Sequence, residues 1–259
     1  MKIQDLKPAI SLLKNAGLKI KSWRNDSTYR KIYSKLNLKT EADMQSHNFI
    51  YENLIKIYPG IDVISEENYS DSHTRPDTYW LIDPIDGTAS WYNGFDGYVT
   101  QASFICYSEP IFGVIFAPEF EKIWVGIKGS GAELNGKKIK NNSKRKEPIF
   151  IDNTKSPHGI TKEIMTKIGS TKYLESGSIG LKSVLVADGS ADVFVKDVIV
   201  RDWDLAPAYV VLKELGCNIL MLDGKDFTFS GPMEKNEGFV IARDSILIDK
   251  VISSVNKKY

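Results

Sequence analysis

Trp80-Leu81-Ile82-Asp83-Pro84-Ile85-Asp86-Gly87-Thr88 runs from an unbroken apolar stretch into two carboxylates and a glycine. An apolar run closed by turn residues reads as a buried strand. Pro84 biases Asp83 toward an extended backbone, and Gly87 lets the chain turn tightly behind Asp86. Two carboxylates can therefore converge at a strand end, where α/β proteins place their chemistry. Asp43, the pair Glu66 and Glu67, and Asp204 stand at comparable strand ends or helix mouths. If Glu66 joined Asp83 and Asp86, each pair of charges ~4 Å apart would repel by up to ~4 kcal/mol at an effective dielectric of ~20. Such a cluster calls for a divalent cation. Ligation by oxygen alone favours Mg²⁺, and no set of Cys and His is present that could hold zinc. Taken singly, Asp86 could merely cap the helix after Gly87, and Asp43, Glu66 and Glu67 could be surface acids. Only their combination argues otherwise.

Upstream of this segment, Ile3, Leu6, Ile10, Leu13 and Leu18 recur near helical spacing, as do Met44, His47, Ile50, Tyr51 and Leu54, which predicts two amphipathic helices. Strand-like runs follow at Ile61 to Ile64, Tyr79 to Ile82, Tyr98 to Tyr107, Ile111 to Phe116 and Ile123 to Ile127. Lys128 to Lys146, rich in Gly, Asn and Lys, reads as a hairpin followed by a linker. Beyond it strands at Ile149 to Ile151, Ala191 to Val195 and Gly238 to Ala242 alternate with helices at Ile160 to Ile168, Gly180 to Ala187, Leu205 to Leu215 and Ile246 to Val255. The chain thus divides into halves 1–143, with most candidate metal ligands, and 144–259, with Asp204 and the substrate side, expected to form one compact unit.

Of 259 residues 42% are hydrophobic and 26% charged, enough for a large core. Thirty-four Lys and Arg against 33 Asp and Glu leave a net charge of +1, so no long-range field draws nucleic acid or anionic membrane. Neither partner is expected. Cys106 and Cys217 lie far apart without metal or redox spacing and read as buried and reduced. No stretch reaches the ~18 apolar residues of a membrane span, and Met1 to Gly17 lacks the core of an export signal, so a cytoplasmic location is expected.

Four segments, Thr40-Glu41-Ala42-Asp43, Ser65-Glu66-Glu67, the Trp80 to Thr88 string and Trp203-Asp204-Leu205-Ala206, resemble in order and approximate spacing the inositol monophosphatase superfamily of Mg²⁺-dependent, lithium-sensitive phosphatases. The resemblance implies an α/β (α+β) fold, a layered α-β-α-β-α sandwich, often a homodimer. It also implies roles: Glu66, Asp83 and the Ile85 carbonyl around a first Mg²⁺, Asp83, Asp86 and Asp204 around a second, and Thr88 backed by Asp43 orienting the attacking water. Gly87 and Thr88 would open a helix whose free N–H groups receive phosphate. Haloacid-dehalogenase-type phosphatases carry Asp-x-Asp-Gly-Thr instead. The extra residue here changes which face each carboxylate occupies on an extended strand end.

The substrate side is less decisive. Gly177-Ser178-Ile179-Gly180 looks like the family's glycine-containing turn before a helix, and Lys182 is similar to a lysine of the bisphosphate nucleotidase branch, where it would suit a second phosphate. Asp197, seven residues before Asp204, approximates an acid that in inositol phosphatases binds ring hydroxyls; Lys182 would then face solvent. Inositol monophosphate is placed slightly ahead of 3'-phosphoadenosine 5'-phosphate. A non-catalytic sugar-phosphate binder would have no use for the water-orienting pair. Arg201 and Asp202 read as a surface ion pair, His47 as packing on a helix face, and His73 and His158 as residues of polar loops.

Overall fold

The computed structural model describes residues 3–35, 38–70, 75–140 and 145–255. His73 and the linker residues 141–144 lie outside them. In chain order the first elements are α1 (Ile3–Trp23), β1 (Ile32–Ser34), β2 (Lys39–Thr40), α2 (Glu41–Ile57), β3 (Asp62–Ser65), β4 (Thr78–Asp86), α3 (Thr88–Tyr92), β5 (Val99–Cys106), β6 (Glu109–Ala117), β7 (Lys122–Ile127), β8 (Gly131–Leu134) and β9 (Lys137–Lys138). They are followed by β10 (Phe150–Asp152), α4 (Gly159–Ile168), β11 (Tyr173–Glu175), α5 (Ile179–Ala187), β12 (Val193–Lys196), β13 (Val200–Arg201), α6 (Asp202–Glu214), β14 (Asn218–Met221), β15 (Glu234–Lys235), β16 (Phe239–Ala242) and α7 (Ser245–Ser254).

Strands β3 to β9 form one sheet in sequence order, with β3 and β4 parallel and every later pair antiparallel. A second sheet has the order β11-β10-β12-β16-β14. Because side chains alternate along a strand, each sheet has two apolar faces to cover. Leu6, Leu13, Ile50 and Leu54 of α1 and α2 pack with Trp80, Ile82 and Phe112 on one face of the first sheet. Its other face, with Leu81, Val99 and Ile115, shares a core with Leu181 and Val184 of α5, Leu205 and Val211 of α6, and Phe194 and Ile241 of the second sheet. The far face of that sheet, with Val193, Val195 and Val240, is closed by α4 and α7 through Ile164, Ile248 and Val251. The layers run α-β-α-β-α, the architecture that the motifs implied.

Two glycines explain how close the central layer sits. A Cβ on Gly113 would lie 2.0 Å from the Pro207 carbonyl oxygen, and one on Gly126 would lie 2.6 Å from the Val211 amide nitrogen, so α6 rests directly on β6 and β7. The spacing reading fails in places. Leu18 is 44% exposed, because α1 buries Leu6, Ala9, Leu13, Ala16 and Ile20, and small alanines carry part of that stripe. Cys106 is only partly buried. Strands β11 and β14 were not predicted from sequence; Tyr-Leu-Glu and Asn-Ile-Leu-Met are too short to show a period.

Candidate active site

Asp83 and Asp86 are three residues apart, an odd spacing that would put them on opposite faces of a regular strand. In β4 they are not regular. Asp83 pairs with Gln101 of β5 but Asp86 pairs with Val99, where unbroken register would require residue 98. The extra residue is a bulge at Pro84 and Ile85, and proline is tolerated there because it owes the ladder no N–H. The bulge brings both carboxylates to one side. Asp204, in the first turn of α6, completes the group: the three residues each offer a carboxylate oxygen, and these atoms all lie within 4.8 Å of one another. Its own Oδ2 also accepts the Arg201 backbone N–H at 2.7 Å, which fixes it at the helix mouth.

These acids are placed where charge is costly. Asp83 is 1% exposed, and its Oδ1 has no hydrogen-bond partner. Burial, then the neighbouring carboxylates Glu66, Asp86 and Asp204, push Asp83 well above the ordinary carboxylate range; burial and the charges of Asp86 and Glu66 do the same to Asp204. Asp86 is raised by burial too, opposed by the Gly180 N–H and by Lys182. Glu66 is pushed up to about 7 by burial and by Glu67. A buried carboxylate oxygen without a donor, amid like charges and oxygen ligands only, fits a hard divalent cation. Glu66 stands outside the tight trio, and Glu67 pairs with Lys39 at 2.8 Å.

Asp43, in the first turn of α2, accepts the Thr40 N–H and hydroxyl on Oδ2 at 2.7 and 2.6 Å. On Oδ1 it accepts the Thr88 hydroxyl at 2.8 Å, while the Ile85 carbonyl lies 3.1 Å from the same hydroxyl. Of the two acceptors within reach of the one Thr88 hydroxyl hydrogen, Asp43 is the nearer. Burial lifts Asp43 to about 6. Gly87, at φ 90°, starts the five-residue α3 in a left-handed conformation that a side chain would strain. Trp91, whose indole donates to the Ile20 carbonyl at 3.0 Å, pins that short helix onto α1.

A cavity of about 520 Å³ beside Asp86 and Gly87 is lined also by Ala89, Ser90, Phe95, Lys182 and Lys196. Lys182 is 2% exposed, so it does not face solvent. Its Nζ donates to the Gly177 carbonyl at 2.6 Å and lies 4.8 Å from the Phe194 ring centroid, and burial lowers its pKa to about 8. Lys196 holds buried Asp152 at 2.8 Å. Asp197 is exposed and is not on this wall. Gly180 has another partner than substrate: its N–H donates to Asp86 Oδ2 at 2.6 Å, so the start of α5 caps a cluster carboxylate. Arg201 and Asp202 do not pair with each other. Asp202 is fully buried against Arg75 at 2.8 Å and Lys235 at 3.6 Å, while Arg201 meets Glu234 at 3.0 Å, because the chain turns into α6 between them. His47 packs as expected, its Nδ1 2.9 Å from the Ser65 hydroxyl.

The family model described as "Inositol monophosphatase family" matches residues 2–258. The chain belongs to the inositol monophosphatase family. Inositol monophosphatase family members similar to it include the "fructose-1,6-bisphosphatase/inositol-1-monophosphatase" of Aquifex aeolicus, 30% identical over 84% of this chain and 81% of that protein. The "3'(2'),5'-bisphosphate nucleotidase CysQ" of Aggregatibacter actinomycetemcomitans is 29% identical over 91% of this chain and 89% of its own length. The solved structure of a Thermotoga maritima inositol monophosphatase superposes with a TM-score of 0.82 at 23% identity, covering 98% of each chain. This protein is accordingly a metal-dependent phosphatase of the inositol monophosphatase family, a phosphoric monoester hydrolase of small phosphorylated metabolites. Among the described residues no helix is long and apolar enough to cross a membrane.

Proposed function

We propose that the metal is Mg²⁺, that Asp83, Asp86 and Asp204 hold it with Glu66 and the Ile85 carbonyl completing a two-metal site, and that the substrate carries a second anionic group beside an apolar one. Adenosine 3',5'-bisphosphate has that chemistry. Bound Mg²⁺ would neutralise the phosphoryl oxygens and lower the pKa of the attacking water. The protein's own contribution is placement. Thr88, its hydrogen committed to Asp43, accepts from the water and aims it, and the amides at the start of α3 receive phosphate oxygens. No nucleophilic side chain is required.

The observation that carries the substrate reading is the make-up of the cavity wall. Lys182 and Lys196, which share the single buried acid Asp152 at 3.9 and 2.8 Å, leave one positive charge in excess there, and Phe95 and Val198, 38% and 40% exposed, offer an apolar face that a nucleobase fits better than an inositol ring does. Sequence placed inositol monophosphate first on the strength of Asp197, which stands off the wall. Asn153 and Glu175 do line the cavity and favour a hydroxyl-rich ring, which keeps that second reading in play. Lys196→Ala is expected to lower kcat/KM on adenosine 3',5'-bisphosphate by about 10- to 100-fold, the worth of a charged hydrogen bond of about 1.5–3 kcal/mol, and to leave inositol 1-phosphate hydrolysis nearly unchanged. Equal losses on both substrates, or a loss on inositol 1-phosphate alone, would reverse the order.

Thr88→Ala should cut kcat by about 10²-fold with KM little altered, because the hydroxyl acts on water rather than on bound phosphate. Thr88→Ser should keep most of the activity. A raised KM at unchanged kcat would make Thr88 a binding residue. The family's frequent dimerisation and a cytoplasmic location belong to the same proposal; gel filtration with light scattering tests the first.

A further inference from the structure

We infer that Gln101 is a positioning residue that sets the spacing between Asp86 and Asp204, an inference that rests on the metal assignment proposed above. Gln101 is fully buried in β5, opposite Asp83 across the β4–β5 ladder. Its Nε2 donates in two directions, to Asp86 Oδ2 at 3.3 Å and to the Trp203 carbonyl at 3.0 Å. One amide therefore spans from the end of β4 to the residue just before Asp204. The reason that this carbonyl is available lies four residues on. In an α-helix the Trp203 oxygen would accept from the N–H of residue 207, and residue 207 is Pro207, inside α6, which has none. Proline opens the acceptor and the glutamine fills it.

Gly180 makes room for that amide, whose Oε1 is buried without a hydrogen-bond partner. A Cβ on Gly180 would lie 2.1 Å from Gln101 Oε1 and 2.9 Å from Asp86 Oδ2, so glycine at 180 leaves room for the glutamine and the carboxylate to meet. Asp86 Oδ2 then receives both the Gly180 N–H and Gln101, and Ser178 and the Ile179 N–H also act on this carboxylate. A carboxylate so restrained presents its remaining oxygen to the metal in a fixed direction. Supporting contacts of this kind are typically worth 10- to 100-fold in metal affinity.

The test separates positioning from mere support of the fold. Gln101→Ala leaves the Trp203 carbonyl without its donor, whereas Gln101→Ala/Pro207→Ala returns a helical N–H to that carbonyl but nothing to Asp86. Thermal melting of metal-free protein and the Mg²⁺ concentration giving half-maximal thermal shift and half-maximal phosphate release are measured for wild type and both variants. Gln101→Ala should need about 10- to 100-fold more Mg²⁺. The double variant should recover melting temperature relative to Gln101→Ala and keep the raised Mg²⁺ requirement. An unchanged requirement in both variants, or one restored together with stability, would make Gln101 a structural residue only. A wild type indifferent to Mg²⁺ would instead remove the metal assignment itself, and the inference with it. If Gln101→Ala alone fails to fold, the double variant's Mg²⁺ requirement decides the question.

Discussion

Asp83→Asn is expected to abolish metal-dependent phosphate release, by about 10³-fold or more, while making the metal-free protein more stable. The two effects have one cause. Asp83 is the cluster member whose Oδ1 has no hydrogen-bond partner, and it faces Glu66, Asp86 and Asp204 in a buried setting. Amide for carboxylate changes almost no volume, so the β4 bulge and its packing survive. What goes is a charge that only a cation balances. Lewis-acid assistance worth several kcal/mol, at about 1.4 kcal/mol per tenfold in rate, sets the scale of the activity loss. Relief of like-charge repulsion and of an undonated buried oxygen should return about 1–2 kcal/mol, or about 2–8 °C in Tm for a chain of this size. Near-wild-type turnover in a folded Asp83→Asn protein would contradict the assignment.

Stability of the metal-free protein should fall as pH rises from 5 to 8, and saturating Mg²⁺ should reverse the slope. Glu66, near 7, and Asp43, near 6, have folded-state pKa values above their unfolded values, and Asp83, Asp86 and Asp204 are raised as well. Between its unfolded and folded pKa each such group carries its proton in the native state and not in the unfolded chain. The stability it contributes is therefore complete below about pH 4 and is lost as pH climbs through the folded value. Glu66 alone would account for up to about 3 kcal/mol, an upper bound because its side chain keeps some contact with solvent. A cation inverts the logic by favouring the ionised forms, so its stabilising effect should be large at pH 8 and small at pH 5. Calorimetric melts with chelator and with Mg²⁺ at both pH values check this; a metal-free Tm that is flat or rising over the range would count against the cluster.

The motifs made Asp43, Glu66, Asp83, Asp86, Thr88 and Asp204 visible because each sits where a strand ends or a helix begins, and such junctions are marked locally by Gly, Pro and capping residues. The bulge that turns Asp83 and Asp86 to one side is a register shift against β5, and no feature of Pro84-Ile85 by itself fixes that register. Gln101 was invisible for a related reason. It lies within the Tyr98 to Tyr107 strand run, and its importance comes from Pro207 and Gly180, about 106 and 79 residues away. Lys182 carries a sequence signal that leaves its environment open between pocket and solvent, since burial depends on how α5 lies on the second sheet. Asp202 reads as surface charge in the sequence because Arg75 and Lys235, which cover it, come from a distant loop and from β15. Periodicity reports the face of one element; it is silent on what another element brings to that face.

Mn²⁺, an oxygen-seeking cation that can be located by its anomalous scattering, offers the most direct test of the central claim that Asp83, Asp86 and Asp204 form the metal centre. In crystals grown with Mn²⁺ the anomalous difference map should hold its strongest peak between these three carboxylates, about 2.1 Å from their oxygens, and the peak should vanish in Asp83→Asn crystals. Absence of a peak there in wild-type crystals, from protein that hydrolyses phosphomonoesters with Mn²⁺ in solution, would contradict it.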